Sequence, residues 1–181
     1  MYIRKLVGEK CYLSPIDPDD AELYATWLND TEVTDYLNLA TAVISIEGER
    51  EILQRLSREQ NYAIVNIENN ELLGNVGLVS VNHIHRTAEM GIFIGNKDYW
   101  SKGYGLEAIS LFIDYCYKKL NLNNITLRTY SYNTRAIRCY EKAGFKKVGE
   151  LREALRINLK DYNIILMDIL PADFYRIYQA K

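Results

Sequence analysis

Three β-strand patterns follow one another in the middle of the sequence with only short connections. They cover residues 62–67, 72–81 and 85–94, and the first connection is a tight turn at Asn69 and Asn70. A parallel crossover needs about a dozen residues, so strands joined this closely must be antiparallel. The sequence therefore predicts an antiparallel meander.

Helical and further strand patterns lie on either side of this meander. In chain order they are strand 11–14, helix 21–28, helix 47–58, then, after the meander, a helix from about Gly103, strand 124–130, helix 133–143 and a hairpin of 145–157 with 163–170. The predicted order is β-α-α-β-β-β-α-β-α-β-β. We therefore expect an α/β fold with a mixed, mostly antiparallel central sheet and helices on both faces.

The composition is that of an ordinary globular protein. The chain has 181 residues, of which 48% are hydrophobic and 25% charged, so we expect a single domain over residues 1–181 whose core needs no disulfide or metal. The net charge is −2 and no basic stripe is visible, which argues against nucleic acid as a partner. No apolar window of 18 residues exists, so we expect no membrane association.

The cysteines and histidines give no sign of a disulfide or a metal centre. Cys11, Cys116 and Cys139 are odd in number, widely spaced and without a C-x-x-C pair, which is typical of reduced thiols in a cytoplasm. His83 and His85 lie two residues apart, but no cysteine or carboxylate set completes a coordination sphere. We expect a cytoplasmic protein with no metal site and no leader segment.

The sharpest local feature is the segment Trp100–Ala108, whose first part, Trp100–Gly105, is called here the glycine loop. Gly103 and Gly105 allow a ligand to approach the backbone closely, and an amphipathic helix begins inside the segment. The first turn of a helix offers unpaired N–H groups and a positive dipole end, which together suit a phosphate. From these residues alone, a phosphate cradle and a loop that only turns the chain are equal alternatives.

Two common phosphate-binding motifs do not fit this loop. The spacing Gly103-x-Gly105-x-x-Ala108 resembles the dinucleotide fingerprint, but that motif needs an acidic residue about 20 positions later. No acidic residue lies between Asp114 and Glu141. A Walker A motif is excluded because no Gly-Lys-Ser/Thr follows the glycines.

A second segment, residues 133–145, brings two polar side chains to one helix face. Asn133 and Tyr140 are seven residues apart, which is about two helical turns, so both could face a cleft at the carboxyl end of the preceding strand. The alternative is an N-capping asparagine and a half-buried tyrosine.

Together these segments resemble the GNAT superfamily of acyl-CoA-dependent N-acetyltransferases. The resemblance covers about residues 8–171 and rests on residues 88–92, 99–105, 133–136 and 140–145. Within the superfamily it is similar to the branch of ribosomal-protein N-terminal acetyltransferases and spermidine acetyltransferases. Trp100 stands where the superfamily most often has Gln or Arg, and we interpret this as a feature of the branch.

The resemblance implies acetyl-CoA as co-substrate and a set of residues that bind it. The pantetheine arm would pair with the strand end, the pyrophosphate would lie on backbone N–H groups of the glycine loop and the following helix, and one asparagine would contact the arm. The residues of the strand end are Ile92, Phe93 and Ile94, and the asparagine is Asn133. The residues that would hold the pyrophosphate are Lys102, Gly103, Tyr104, Gly105 and Leu106. A backbone N–H near Ile92 would polarise the thioester carbonyl.

The resemblance also implies direct attack of a primary amine in a ternary complex. A lysine-like amine with a pKa of about 10.4 is about three units from neutrality at pH 7, which costs roughly 4–5 kcal/mol. Glu89 is the candidate general base, directly or through water, and its alternative is a solvent-facing strand glutamate. Tyr140 is the candidate general acid for the leaving thiolate.

The acceptor is left open by the sequence. The alternatives are a polyamine, a protein N-terminus of the ribosomal-protein type, or no acceptor at all, in which case the protein is a non-catalytic acyl-CoA-binding module. The sequence also leaves open whether the protein forms a homo-oligomer. The region of the first two helices is rich in acids, which suits a polycation or merely a solvated surface: Asp17, Asp19, Asp20, Glu22, Asp30, Glu32, Asp35, Glu47, Glu49 and Glu51.

Overall fold

A computed structural model describes residues 1–37, 39 and 41–178 of the chain. The chain divides into two units, the first made of residues 1–78 and 92–112 and the second of residues 79–91 and 113 to the C-terminus. Two strands and one helix each contribute to both units. The expectation of a single domain stays a prediction.

The first unit contains the N-terminal strands and helices. Its elements are β1 (Leu6–Val7), β2 (Cys11–Pro15), α1 (Ala21–Leu28), α2 (Thr31–Thr34), α3 (Ile46–Leu56), β3 (Asn61–Asn66), most of β4 (Leu72–Asn82), the end of β5 (Thr87–Ile94) and the start of α4 (Tyr104–Lys118). The pairs β1–β2, β2–β3 and β3–β4 are antiparallel, as the short connection between β3 and β4 predicts.

Side-chain caps set the starts of these helices. Asp17 begins a short 3-10 turn that leads into α1, and its carboxylate accepts a hydrogen bond from the N–H of Asp19. Ser45 begins α3 in the same way by accepting from Gly48 N–H. The spacing of Leu23, Trp27 and Leu28 predicts that these three residues form the apolar face of α1, but Leu23 is exposed whereas Tyr24 is buried. The large ring of Tyr24 buries more area than Leu23 would.

The core of the first unit is aromatic. Tyr12, Tyr24, Trp27 and Leu53 pack together with small and branched side chains of β3 and β4. Phe93, near the end of β5, joins this cluster, with its ring centroid 5.9 Å from that of Tyr24. The core therefore fixes the end of β5 against α1.

The second unit contains the C-terminal strands. Its elements are the end of β4, the start of β5, the remainder of α4, β6 (Asn124–Tyr130), α5 (Thr134–Ala143), β7 (Lys146–Ile157), β8 (Lys160–Ile169) and α6 (Pro171–Tyr178). β8 lies between β6 and β7 and is antiparallel to both, whereas β5 and β6 are parallel. Gly144 ends α5 in the left-handed conformation at φ 107°.

The predicted fold class is confirmed: the sheet is mixed and mostly antiparallel, with one parallel pair among those described above. Three short elements were not predicted from the sequence, namely β1, α2 and α6. The last hairpin is also tighter than expected, because Asn158 and Leu159 adopt positive φ and β8 begins directly after them. No helix in the described part of the chain is long and apolar enough to span a membrane.

Candidate active site

The parallel pairing of β5 with β6 covers only the first residues of each strand. Thr87–Glu89 pairs with Asn124–Thr126, and in the described chain the ladder goes no further, although both strands continue. The ladder ends where the resemblance implies that these strands diverge. Backbone groups that lack a partner strand can pair with an extended ligand.

Glu89 lies at the last paired position of this ladder. Its carboxylate is 3.2 Å from Nε of Arg128, which lies two residues beyond Thr126 on β6, and about a quarter of the Glu89 side chain is exposed. The ion pair holds the carboxylate at the point where the ladder ends. A partly exposed carboxylate there can accept a proton from an amine or from a water molecule.

Tyr140 lies in the last turns of α5 with its ring buried. The ring contacts Phe145 edge to face, at 5.9 Å between centroids. Its hydroxyl has no hydrogen-bond partner among the described residues, yet it is not one of the oxygens sealed from solvent. Burial, with a smaller contribution from Cys139, raises the pKa of Tyr140 above its ordinary value. The hydroxyl is therefore protonated at neutral pH and available to a ligand.

Asn133 is the N-cap of α5, which is one of the two roles that the sequence left open for it. Its Oδ1 accepts a hydrogen bond from Ala136 N–H at 3.2 Å, and the residue is 7% exposed. Capping uses only the oxygen. The Nδ2 group can still donate to a ligand such as a pantetheine amide.

The glycine loop leads directly into the first turn of α4. Ser101 and Gly103 both have positive φ, 61° and 91°, so the backbone of the loop curls before the helix begins at Tyr104. The first hydrogen bond of the helix is from Glu107 N–H to Gly103 carbonyl. The N–H groups of the preceding residues of this turn therefore have no intrahelical acceptor, which is the arrangement that binds a phosphate.

Trp100 connects the glycine loop to the end of β5. Its indole Nε1 donates to the carbonyl of Ile94 at 2.7 Å. The position that is Gln or Arg in most of the superfamily thus has a structural role in this chain. The neighbouring Tyr99 donates its hydroxyl to Glu71 at 2.6 Å, which fixes the start of the loop against the β3–β4 turn.

Glycines allow the end of β5 to pack closely against its neighbours. A Cβ on Gly74 would lie 2.0 Å from the carbonyl oxygen of Phe93, and a Cβ on Gly95 would lie 2.2 Å from the Trp27 indole. Any larger residue at these positions would displace the strand end. The half-buried segment Ile92–Ile94 is therefore held rigidly.

Glu107, in the first turn of α4 after the glycine loop, is a residue that the sequence analysis did not single out. Its carboxylate accepts three backbone N–H groups of the β1–β2 turn, from Glu9, Lys10 and Cys11, at 2.8–2.9 Å. Burial opposes ionisation, but these donors outweigh it and the pKa of Glu107 is lowered. A Cβ on Gly8 would collide with this carboxylate at 2.6 Å, which explains the glycine there. The contact spans nearly a hundred residues, so no local pattern could reveal it.

The predicted site residues are distributed over both units. Those of the glycine loop and the segment Ile92–Ile94 lie in the first unit, whereas Glu89, Asn133 and Tyr140 lie in the second. Glu89 and the segment Ile92–Ile94 share strand β5. Among residues 1–37, 39 and 41–178, no group of three or more His, Cys, Asp or Glu side chains is placed to hold a metal ion.

Comparisons with known proteins place this arrangement in a family. Residues 10–146 match the acetyltransferase (GNAT) domain. The chain is 26% identical to an uncharacterised N-acetyltransferase, p20, of Bacillus licheniformis, over 93% of this chain and 97% of that protein. It is 40% identical to spermidine N(1)-acetyltransferase of Escherichia coli K12, over 58% of this chain and 55% of that protein.

A solved structure is similar over nearly its whole length. It is spermidine N-acetyltransferase from Vibrio cholerae in complex with CoA and spermine, with a TM-score of 0.82, 25% identity and coverage of 92% of this chain and 99% of that one. The present chain belongs to the GNAT acetyltransferase family. It is an acetyl-CoA-dependent N-acetyltransferase, and the family, the enzyme class and the co-substrate predicted from the sequence are confirmed.

Proposed function

We propose that this enzyme acetylates a polyamine by direct attack of a primary amine on acetyl-CoA in a ternary complex. The main support for acetyl-CoA binding is the curled glycine loop, in which Gly103 precedes a first helical turn with unpaired N–H groups. The segment Ile92–Ile94 would pair with the pantetheine arm, and the loop residues Lys102 to Leu106 would hold the diphosphate.

The proposed chemistry assigns one proton transfer to each of two side chains. Glu89 takes the proton of the attacking ammonium, directly or through water, so that the neutral amine forms the new C–N bond. Collapse of the tetrahedral intermediate breaks the C–S bond, and Tyr140 gives its proton to the departing thiolate. The nitrogen loses its second proton as the amide forms, and a proton taken up through water restores the Tyr140 hydroxyl. Asn133 orients the arm through its Nδ2. No covalent enzyme intermediate forms, so the three free cysteines have no role in the reaction.

A polyamine is the proposed acceptor because two kinds of support agree. Two of the similar proteins described above are spermidine acetyltransferases. The first unit also has a cavity of about 580 Å³ lined by α1 and the segment before α3, with Glu22 and Asp30 among its residues. Part of the surrounding acidic charge is neutralised, however, because Lys97 forms ion pairs with both Asp30 and Glu32.

The cytoplasmic location expected from the sequence stays a prediction.

Initial velocities with a panel of acceptors test the proposal. Spermidine, spermine, a neutral-tailed primary amine and short peptides are each varied at several fixed concentrations of acetyl-CoA, with release of free CoA thiol as readout. Acetylation of the polyamines with intersecting initial-rate lines supports it, whereas parallel lines would indicate a covalent intermediate. Turnover of peptides alone would instead assign the enzyme to N-terminal acetylation.

Gly105 provides a matched pair of variants for the cofactor site. A Cβ at this position meets only Ile94 Cγ1 at 3.9 Å, so Gly105→Ala fits without strain and serves as the control. Gly105→Asp adds a negative charge beside the diphosphate. Acetyl-CoA at 100 times its Kd stabilises the wild type by about 2.7 kcal/mol. We expect this stabilisation in Gly105→Ala and its loss in Gly105→Asp, and an equal shift in both variants would remove the loop from the cofactor site.

A further inference from the structure

The side chain of Lys10 runs along the glycine loop, although it comes from the β1–β2 turn more than 90 residues earlier. Its Cε and Cδ lie 3.7 Å and 3.9 Å from the position that a Cβ on Gly103 would occupy. Its Nζ lies over the ring of Tyr104, the first residue of α4, at 5.8 Å from the ring centroid. The ammonium is thus next to the loop that curls into the helix.

The backbone of Lys10 is fixed on both sides. Its N–H donates to Oε2 of Glu107 at 2.9 Å, and its carbonyl accepts from Ile67 N–H at 3.0 Å. Because Glu107 lies in the first turn of α4, the lysine is attached to the same turn that offers unpaired N–H groups. The position of the Lys10 backbone relative to the loop is therefore set by the fold.

The ammonium of Lys10 forms no ion pair within the described part of the chain. No carboxylate oxygen lies within 4 Å of its Nζ there. Glu107, whose carboxylate contacts the backbone of Lys10, already accepts three backbone N–H groups. The ammonium accordingly has donors available for an anion, and the anion that this loop is built to receive is a phosphate.

We propose that Lys10 is a further cofactor-binding residue, whose ammonium contacts the diphosphate of acetyl-CoA held by the glycine loop. This inference rests on the proposed function. Lys102, within the loop, lies over the ring of Tyr99 at 6.0 Å, and the rings of Tyr99 and Tyr104 contact each other edge to face. Lys10 and Lys102, which are distant in the sequence, thus each lie over one ring of this tyrosine pair.

The test measures the Kd of CoA and of 3′-dephospho-CoA by calorimetry for the wild type and three variants. Lys10→Gln removes the charge, Lys10→Arg keeps it, and Lys5→Gln removes an exposed charge of the same N-terminal segment as the matched control. Loss of one partly solvated ammonium–phosphate contact should raise both Kd values about tenfold in Lys10→Gln. Lys10→Arg should recover most of the affinity, and Lys5→Gln should bind like the wild type.

Each outcome has a distinct consequence. An equal loss for CoA and 3′-dephospho-CoA supports contact with the diphosphate, whereas a loss for CoA alone places Lys10 at the 3′-phosphate and overturns the assignment. Unchanged Kd values in Lys10→Gln overturn any cofactor role. The melting temperature without ligand, which should not change, separates binding from folding. A wild type that binds no CoA would instead contradict the proposed function.

Discussion

At the scale of single residues, Tyr140 has a buried ring and a hydroxyl without a hydrogen-bond partner among the described residues. Such a hydroxyl contributes little to the native state, so its deletion should affect catalysis more than stability. We expect Tyr140→Phe to lower kcat about 100-fold or more, within the usual range for a general acid, with little change in the KM for acetyl-CoA. Tyr175→Phe, whose hydroxyl donates to Asp114, is the control. A higher KM with normal kcat would make Tyr140 a binding residue.

Glu89 differs from Tyr140 because its carboxylate has a structural partner, Arg128. If Glu89 is the base, Glu89→Gln should lower kcat/KM most at low pH, where the acceptor amine is protonated, and should flatten the acidic limb of the pH–rate profile. Arg128→Gln, which keeps the carboxylate and removes the ion pair, should retain that limb. A Glu89→Gln variant with the wild-type profile would leave Glu89 as a partner of Arg128 only.

Glu49 shows how a buried acid makes stability depend on pH. It is 3% exposed on α3, and burial raises its pKa to about 7. Between about pH 4.3 and 7 the native state therefore keeps a proton that the unfolded chain releases, so stability falls as the pH rises. Glu49→Gln should remove most of this slope and raise the free energy of unfolding at pH 8 by on the order of 2 kcal/mol. Urea unfolding at several pH values measures it, with the exposed Glu47→Gln as control. Parallel pH curves for wild type and Glu49→Gln would contradict the role.

The sequence indicated candidate site residues where a local pattern is recognisable. Gly103, Gly105 and Asn133 each sit at a helix start, and local geometry determines their backbone. The contact between Lys10 and Glu107 could not be predicted, because it joins residues nearly a hundred positions apart. Trp100 was noticed as an unusual residue, but its hydrogen bond to Ile94 required the folded loop.

At the scale of elements, the long helices and strands were predictable from their apolar periodicity, and the short ones were not. The two-residue strand β1 has no pattern of its own and exists because it pairs with β2. The four-residue helix α2 depends on its cap, Asp30, which accepts from Glu32 N–H. Leu23 was assigned to the wrong face of α1, since tertiary packing selected Tyr24.

The attachment of the β1–β2 turn to α4 gives a prediction at this scale. Glu107→Gln keeps the shape of the side chain but replaces a charged acceptor of three N–H groups by a neutral one. We expect the free energy of unfolding to fall by about 1–3 kcal/mol at pH 7. The folded-state pKa of Glu107 is lowered, so the charge stabilises the fold above the unfolded pKa of about 4.3, and the difference should shrink as the pH falls from there through the lower folded-state pKa.

Two controls complete the Glu107 test. Asp114→Asn, on the same helix and partly exposed, removes a charge that pairs with Lys118 on the surface and should cost much less. Hydrogen exchange of the N–H groups of Glu9, Lys10 and Cys11 should accelerate in Glu107→Gln. Unchanged exchange and an unchanged free energy of unfolding would show that this contact does not hold the turn.

At the scale of the whole molecule, the net charge of −2 conceals an uneven distribution of acids. Many acids of the first two predicted helices have partners: Asp17 caps a 3-10 turn, Asp19 pairs with Arg50, and Lys97 pairs with Asp30 and Glu32. Glu22, which lines the cavity, is among the acids that form no ion pair in the described part of the chain. We therefore expect electrostatic attraction to raise the kcat/KM of a polycationic acceptor only modestly.

This distribution predicts how salt affects the choice of acceptor. At low salt the kcat/KM of spermidine should exceed that of a neutral-tailed primary amine of similar length, because acids near a cleft raise the local concentration of a cation. The Debye length falls from about 14 Å to about 4 Å between about 0.05 and about 0.5 M salt, so the advantage should shrink over that range. Glu22→Gln should reduce the advantage at low salt and leave the neutral amine unaffected. Equal kcat/KM for both amines at low salt would contradict steering and would favour a peptide N-terminus, whose α-amino pKa near 8 needs less help from a base.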